Sequence, residues 1–277
     1  MHNAWFVHFP GFANTRIHVA DLFKTARAVF DIVAGRGHEE ERANMFAVDH
    51  ALTALVLKRR YPSVSLALLL VSVQAMELAW VALNYAGIER TETDAQVASV
   101  ANVHLVYMPF SHSLLTATVA AVLVGVVVGG LRGSLAGQAI GLGVVSHLVL
   151  DLFTHARDIA LAPGSTTMLG SGLYAQGPIV AFAVELGFGL LCWWIYVRGR
   201  MRETAWRALL ALAIVGNLLN LSFLSPAIQG PEQFLAGRPE LVVTVVLLQI
   251  VTTLSLVYWL ASRAGAREMR LDDRPQR

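Results

Sequence analysis

The chain is poor in cysteine and in charge. Cys192 is the only cysteine among 277 residues, which excludes an intrachain disulfide and any multi-thiolate metal site. A metal would have to be held by His, Asp and Glu, donors that suit zinc, manganese or iron better than copper(I) or iron–sulfur clusters. Charged residues make up 14% of the chain, against about 25% in soluble domains. The net charge is only +2, so composition points to no nucleic-acid partner. In their place stand apolar residues, 56% of the total with a mean hydropathy of +0.57. This is the composition of an integral membrane protein whose partner is the lipid bilayer.

A span needs about 20 apolar residues, and seven stretches qualify as candidates: 45–57, 64–85, 111–131, 134–156, 178–198, 204–225 and 239–262. They predict an all-α polytopic bundle of about seven transmembrane helices. The first is short and stops at Lys58, Arg59 and Arg60, with Pro62 breaking the helix. The organisation reads as an N-terminal extension (1–44), a five-helix domain (45–198), two further helices (199–262) and a tail (263–277).

Residues 1–44 carry no span-length apolar run. "VADLFKTARAVFDIVAG" has helical periodicity and suits a membrane surface, without the core and cleavage signal of a secretory peptide. Met45 opens the first apolar helix directly and follows "EEER", whose codons are purine-rich like a ribosome-binding site. Met45 is therefore an expected start, and His2, His8, His18 and His38 are given no function.

Basic residues fix the orientation, because they stay cytoplasmic. "KRR" at 58–60, the turn at Arg132, "RGRMRETAWR" at 198–207 and the tail from Arg263 are basic, whereas "IERTETDAQ" at 88–96 is acidic and the loops at 160–178 and 225–234 carry no net positive charge. The alternation predicts a cytoplasmic C-terminus. Trp193, Trp194, Tyr196, Tyr258 and Trp259 sit beside the basic ends as an aromatic belt. Gly125, Gly129, Gly137 and Gly141, spaced by four on either side of a short turn, predict a tight helical hairpin.

Against that background "SHLVLDLFTHARD" at 146–158 stands out. At about 100° per residue, His147, Asp151, His155 and Asp158 fall at roughly 0°, 40°, 80° and 20° if the helix runs through them. They share one face. A charge in hydrocarbon costs on the order of 3 kcal/mol or more, so such a run marks a functional site. A helix end emerging into water explains Asp158 and His155 nearly as well, but not His147 and Asp151.

Other spans add His50 beside Asp49, Gln74 with Glu77 three residues on, His112 in "MPFSHSLL" behind Ser111 as the expected N-cap, Glu185, and the pair Asn217 and Asn220. Asp49 reads as solvated at an interface and His104 as an ordinary interfacial residue. Glu185 reads as a structural partner or a support to the site, and the asparagines as interhelical hydrogen-bonding groups. Depth and orientation together put His50, Glu77, His112, His147 and Asp151 near the extracytoplasmic face.

Imidazoles with carboxylates in a low-dielectric pocket suit a divalent metal, with zinc favoured over manganese or iron. On an uninterrupted helix His147 and His155 would stand about 12 Å apart along the axis. That spacing leaves two alternatives, a second metal, or His155 and Asp158 acting outside the coordination sphere in proton transfer.

From Met45 to Tyr196 the chain resembles the YdjM-like family of bacterial membrane-bound metal-dependent hydrolases. The resemblance runs through "DHALTALVLKRRYP", "QAMELAW…GIE", "YMPFSHSLL" and "SHLVLDLFTHARDIALAPGS". It implies a metal-binding set of His50, Glu77, His112, His147 and Asp151, with His155 and Asp158 matching a subgroup. The chain departs from the family at Glu77, where Asp is usual, and at Asp49, where Gly is usual. The resemblance implies a bacterial inner-membrane hydrolase acting on an ester or phosphoester, and a site at lipid depth suggests a lipid substrate. The rival expectation from the same residues is a transporter or channel for cations or protons, and a bis-histidine haem protein is a third. The cytoplasmic halves of the helices are uniformly apolar, which favours the enzyme.

Overall fold

The computed structural model describes residues 6–7, 17–18, 47–95, 103–198, 204–219 and 235–272. The chain divides into two compact units, Met1–Glu39 and Glu40–Arg277. In the first, only the antiparallel strands β1 (Phe6–Val7) and β2 (Ile17–His18) are described. The expected surface helix, the Met45 start, Asn220 and the loop at 225–234 lie outside the described residues, as do the side chains of His18 and His104.

The second unit is helical. Its elements are α1 (Ala47–Arg60), α2 (Leu66–Val73), α3 (Ala75–Tyr85), α4 (Leu114–Arg132), α5 (Ser134–Thr154), the single turn α6 (Leu173–Gln176), α7 (Pro178–Val197), α8 (Thr204–Leu219) and α9 (Pro239–Asp272). Two short antiparallel pairs join them, β3 (Arg90–Thr93) with β4 (Val103–Tyr107) and β5 (Ile159–Ala160) with β6 (Met168–Leu169). Four helical stretches are long and apolar enough to cross a membrane: Leu114–Arg132, Ser134–Thr154, Ile179–Val197 and Pro239–Arg263. The bent pair α2–α3 makes a fifth if it counts as one span. At 14 residues α1 is shorter than a span, and the described part of α8 has 16. The last helix runs on to Asp272, through the segment expected to be a tail.

Local chemistry accounts for the boundaries. Ser113, not Ser111, caps α4, its hydroxyl accepting from Thr116 N at 3.4 Å. The hairpin between α4 and α5 turns on Gly133, whose φ of +95° is open to glycine and strained for other residues. Below the turn the two backbones touch. A Cβ on Gly137 would run into the carbonyl oxygen of Gly125 and stand 2.7 Å from Cα of Gly129. The four-residue glycine spacing therefore serves close approach of main chains, as expected.

The second expected span is not one helix. It breaks at Gln74, and the two pieces meet at 58°. Non-helical backbone at membrane depth is tolerated where it is buried in protein. Gln74 meets that condition, being 1% exposed and donating through Nε2 to the Ala47 carbonyl at 3.2 Å. Gly143 on α5 lets this broken region close in, since a Cβ there would collide with the Ser72 side chain.

The main core lies between α1, α2, α5, α7, α8 and α9 and includes Leu52, Leu55, Leu69, Ala139, Ala181, Leu209 and Val257. Asp49 faces into it, contrary to the expectation of a solvated interface residue. It is fully buried and accepts from Asn217 Nδ2 at 3.2 Å, against the bare Cα of Gly189 on α7. A residue next to His50 on a helix points about 100° away from it, and α7 and α8 occupy that side. Asn217 thus joins α1 to α8, in line with an interhelical role.

Basic and aromatic groups gather at one end of the unit. Arg59 donates to the carbonyls of Tyr196 and Arg198 at 3.1 and 2.7 Å, which caps the C-terminus of α7. Arg263 lies 3.9 Å from the centroid of Trp259, and Arg198 5.4 Å from that of Trp194. Two of the aromatic residues expected to form a belt, Trp194 and Trp259, thus pack against arginines. Gly137→Ala is expected to destabilise the helical domain by about 1–3 kcal/mol, the range for overpacking a tight contact. Thermal unfolding in detergent checks this, and an unchanged midpoint would mean that the α4–α5 contact is looser than described.

Candidate metal centre

Four pieces of chain bring polar side chains to one place. His50 comes from the first turn of α1, Glu77 from the first turn of α3, and His112 from the turn before α4. His147 and Asp151 come from adjacent turns of α5, one face of one helix. The helix break at Gln74 aims Glu77, because α3 starts afresh with a new axis. His112 is clipped by β5, where Ala160 N donates to its carbonyl at 3.1 Å and Leu115 N donates to Leu161 O at 3.1 Å.

The helix does not continue as far as the sequence expectation had it. Thr154 is the last helical residue, and His155 is the C-cap with φ −59° and ψ 149°, so the chain turns back after it. His155 itself stays in helical register, its N donating to Asp151 O at 2.7 Å, so it remains two turns from His147 and shares no donor set with it. What departs from the helix is the chain after it, which carries Asp158. The His155 ring lies 5.5 Å from that of His112, and its Nε2 lies 3.9 Å from Asp151 Oδ1. Its Nδ1 pairs with Asp158 Oδ1 at 3.1 Å. All seven residues singled out for the site meet in this cluster.

The centre of the cluster is Asp151. Its Oδ2 is 3.2 Å from His147 Nε2 and 3.9 Å from His112 Nε2, and its Oδ1 is 3.3 Å from His50 Nε2. Glu77 Oε2 lies 3.4 Å from His112 Nε2 and 3.5 Å from His147 Nε2. The His50 and His147 rings stack at 4.1 Å. The imidazoles and Asp151 are at most 3% exposed, whereas the side chains of Glu77 and Asp158 are 18% and 11% exposed. Access is therefore at Glu77 and Asp158. Behind His50 the wall is apolar, formed by Ala51, Leu52, Ala54 and Leu55, all fully buried.

Hydrogen bonds fix which ring nitrogens face inward. His147 Nδ1 lies 2.9 Å from the carbonyl of Val73. A carbonyl only accepts, so this nitrogen carries the proton and Nε2 keeps its lone pair toward Glu77 and Asp151. The carbonyl is free to accept because α2 ends there. His155 Nδ1 is directed in the same way at the Asp158 carboxylate, the arrangement that orients metal-binding imidazoles.

Three sets of side chains in this cluster can hold a metal ion: His50, His147 and Asp151; Glu77, His112 and His147; and His112, Asp151 and His155. Within each set the donor atoms lie within 4.8 Å of one another. The separations themselves fit an ion. Tetrahedral zinc with bonds of about 2.0–2.1 Å has ligand–ligand edges of about 3.3–3.4 Å. The four contacts among Glu77, His112, His147 and Asp151 Oδ2 run from 3.2 to 3.9 Å, near that edge length, while Glu77 and Asp151 fall in different donor sets. His147 Nε2 and Asp151 Oδ2 face each other but make no hydrogen bond, so both are buried without one. Leaving such atoms unsatisfied is costly, and a cation between them would satisfy both.

Two expected residues stand apart. Glu185 is fully buried on α7 and belongs to none of the three donor sets, and Asn217 serves Asp49. Conversely, sequence reasoning assigns no role to the Val73 carbonyl, and it touches Glu89 only as the last residue of the "GIE" block. The former depends on a helix break that no periodicity reveals, and the latter sits in a loop that reads as an acidic surface segment. Compared with protein-family models, with curated proteins and with solved structures, the chain matches none.

Proposed function

We propose that the protein is a membrane-embedded, metal-dependent hydrolase of an ester or phosphoester, with a lipid as the substrate class. The observation that carries this reading is the convergence of imidazole Nε2 atoms and carboxylate oxygens at ligand spacing in a buried cluster whose partly exposed members are Glu77 and Asp158. The family resemblance points the same way. His112, His147, Asp151 and Glu77 would hold the ion and His50 would complete the set, with zinc favoured by the donor types. An ion held there supplies Lewis acidity and lowers the pKa of water.

The remaining groups divide the work. His155, poised between Asp158 and Asp151, serves proton transfer to the leaving group. The apolar wall behind His50 keeps bulk water from the inner side. The apolar run of α1 beyond His50, with Ala51, Leu52, Ala54 and Leu55 all buried, favours the enzyme over a transporter or channel.

In this reading α1 and α8 complete seven crossings, the basic end faces the cytoplasm with the C-terminus, and the cluster faces the opposite side of a bacterial inner membrane. Cys192 is buried, so engineered thiols report topology cleanly. Thr166→Cys, on an exposed stretch between β5 and β6, should react with a membrane-impermeant maleimide in intact cells, and Ser63→Cys only after permeabilisation. The reverse pattern would invert the orientation.

The chemistry is tested by metal analysis of purified wild type, His147→Ala and His112→Ala. Stoichiometric metal in wild type and its loss in both variants is expected, and equal content in all three contradicts the site. Asp158→Asn should retain metal but slow hydrolysis of a phosphoester or ester lipid reporter by roughly 10²-fold, the lower range for general acid–base catalysis.

A further inference from the structure

Glu89 lies outside every donor set, yet it is 1% exposed in the turn between α3 and β3. A carboxylate so placed must be satisfied by hydrogen bonds. Among the described residues its hydrogen-bond partners come from one turn, the one that presents His112. Oε1 accepts from Phe110 N at 2.9 Å and from Ser111 N at 2.8 Å. Oε2 accepts from the Ser111 hydroxyl at 2.6 Å, a short bond of the charge-assisted kind. On its other side Ser111 Oγ lies 2.9 Å from His112 Nδ1.

A serine hydroxyl has one proton. Ser111 directs it to the carboxylate, so toward His112 its oxygen is an acceptor only, and Nδ1 must be the protonated ring nitrogen. In the neutral ring Nε2 then keeps a lone pair, aimed at Glu77 and Asp151. We propose that Glu89 is a positioning residue for the metal centre: through Ser111 it locks His112 in the Nδ1–H tautomer and makes Nε2 a ligand. The inference rests on the reading of the cluster as an ion site and adds to it the group that prepares one of the ligands. His147 and His155 have acceptors that cannot donate, a carbonyl and a carboxylate. His112 alone of these three faces a hydroxyl, which can act either way, and Glu89 removes the ambiguity.

Glu89→Gln shows what the charge does. The amide oxygen can still accept from the two backbone N–H groups, while the amide NH2 takes the place of Oε2 and donates to Ser111 Oγ. The serine proton is then released toward His112 Nδ1, which favours the Nε2–H tautomer. That tautomer presents a proton, not a lone pair, to the ion site. The loop staple survives and the ligand does not.

The test uses the full-length protein in detergent, with Zn2+ as the probe in chelator competition. Glu89→Gln and Ser111→Ala should each weaken Zn2+ binding by 10- to 100-fold, the usual consequence of losing a hydrogen-bond partner of a ligating histidine. In a His112→Ala background Glu89→Gln should cause no further loss. Nitrogen-15 spectra of metal-free protein should show His112 as the Nδ1–H tautomer in wild type and shifted toward Nε2–H in Glu89→Gln, a readout that needs no metal. Wild-type affinity in Glu89→Gln, an equal loss with and without His112, or an unchanged tautomer would overturn the proposal. Should Glu89→Gln not fold, Ser111→Ala at wild-type affinity would overturn it as well. A wild-type protein that binds no Zn2+ overturns the ion site itself and this inference with it, an outcome distinct from wild-type binding that Glu89→Gln leaves untouched.

Discussion

A carboxylate buried in a helix bundle must be matched by cations or strong donors, or the bundle loses several kcal/mol. Asp151 is in that position. The imidazoles of His50, His112, His147 and His155 all direct Nε2 to within 3.9 Å of its oxygens. Much of the surrounding architecture serves to deliver these groups. The end of α5 places His155, the turn after it returns Asp158 to that ring, and β5 holds the His112 turn. The first turn of α1 places His50, and the helix break at Gln74 supplies both Glu77 and an acceptor for His147. Without Asp151 the imidazoles would share no common partner.

The cluster can be both dense and buried because the helices approach closely. The glycine contact between α4 and α5 and the Gly143–Ser72 contact between α5 and α2 bring main chains together where side chains would hold them apart. Asp49 and Asn217 form a second buried polar contact on the far side of α1. They orient that helix, so that His50 faces Asp151 while Asp49 faces α7 and α8. A membrane helix gains no hydrophobic free energy from packing against its neighbours, so polar and small-residue contacts of this kind set its rotation.

Those features that depend on helical periodicity and residue type were legible in the sequence. His147 and Asp151, four apart in an apolar run, had to share a face, and the four-residue glycine spacing had to mark a close contact. Features that depend on where a helix stops were not legible. Nothing in the run "LALLLVSVQAMELAW" signals a break at Gln74, since no proline or glycine interrupts it. "DLFTHARD" continues the helical pattern past the residue where the backbone turns, so extrapolated geometry puts Asp158 on the helix face, whereas the turn after His155 brings it to His155 Nδ1. Asp49 was misjudged because position along a helix gives depth but not which neighbour covers a face. Glu89 escaped because its role is set by partners 21 and 22 residues away.

If imidazoles and carboxylates from separate segments form one coordination sphere, a bound ion must carry their signature, and X-ray absorption at the zinc edge of the metal-loaded full-length protein reads it. The account predicts four or five nitrogen and oxygen ligands at about 2.0–2.1 Å, the range for histidine and carboxylate donors, with the outer-shell scattering of more than one imidazole and no sulfur. Zinc surrounded by oxygen alone, with no imidazole scattering, would contradict it.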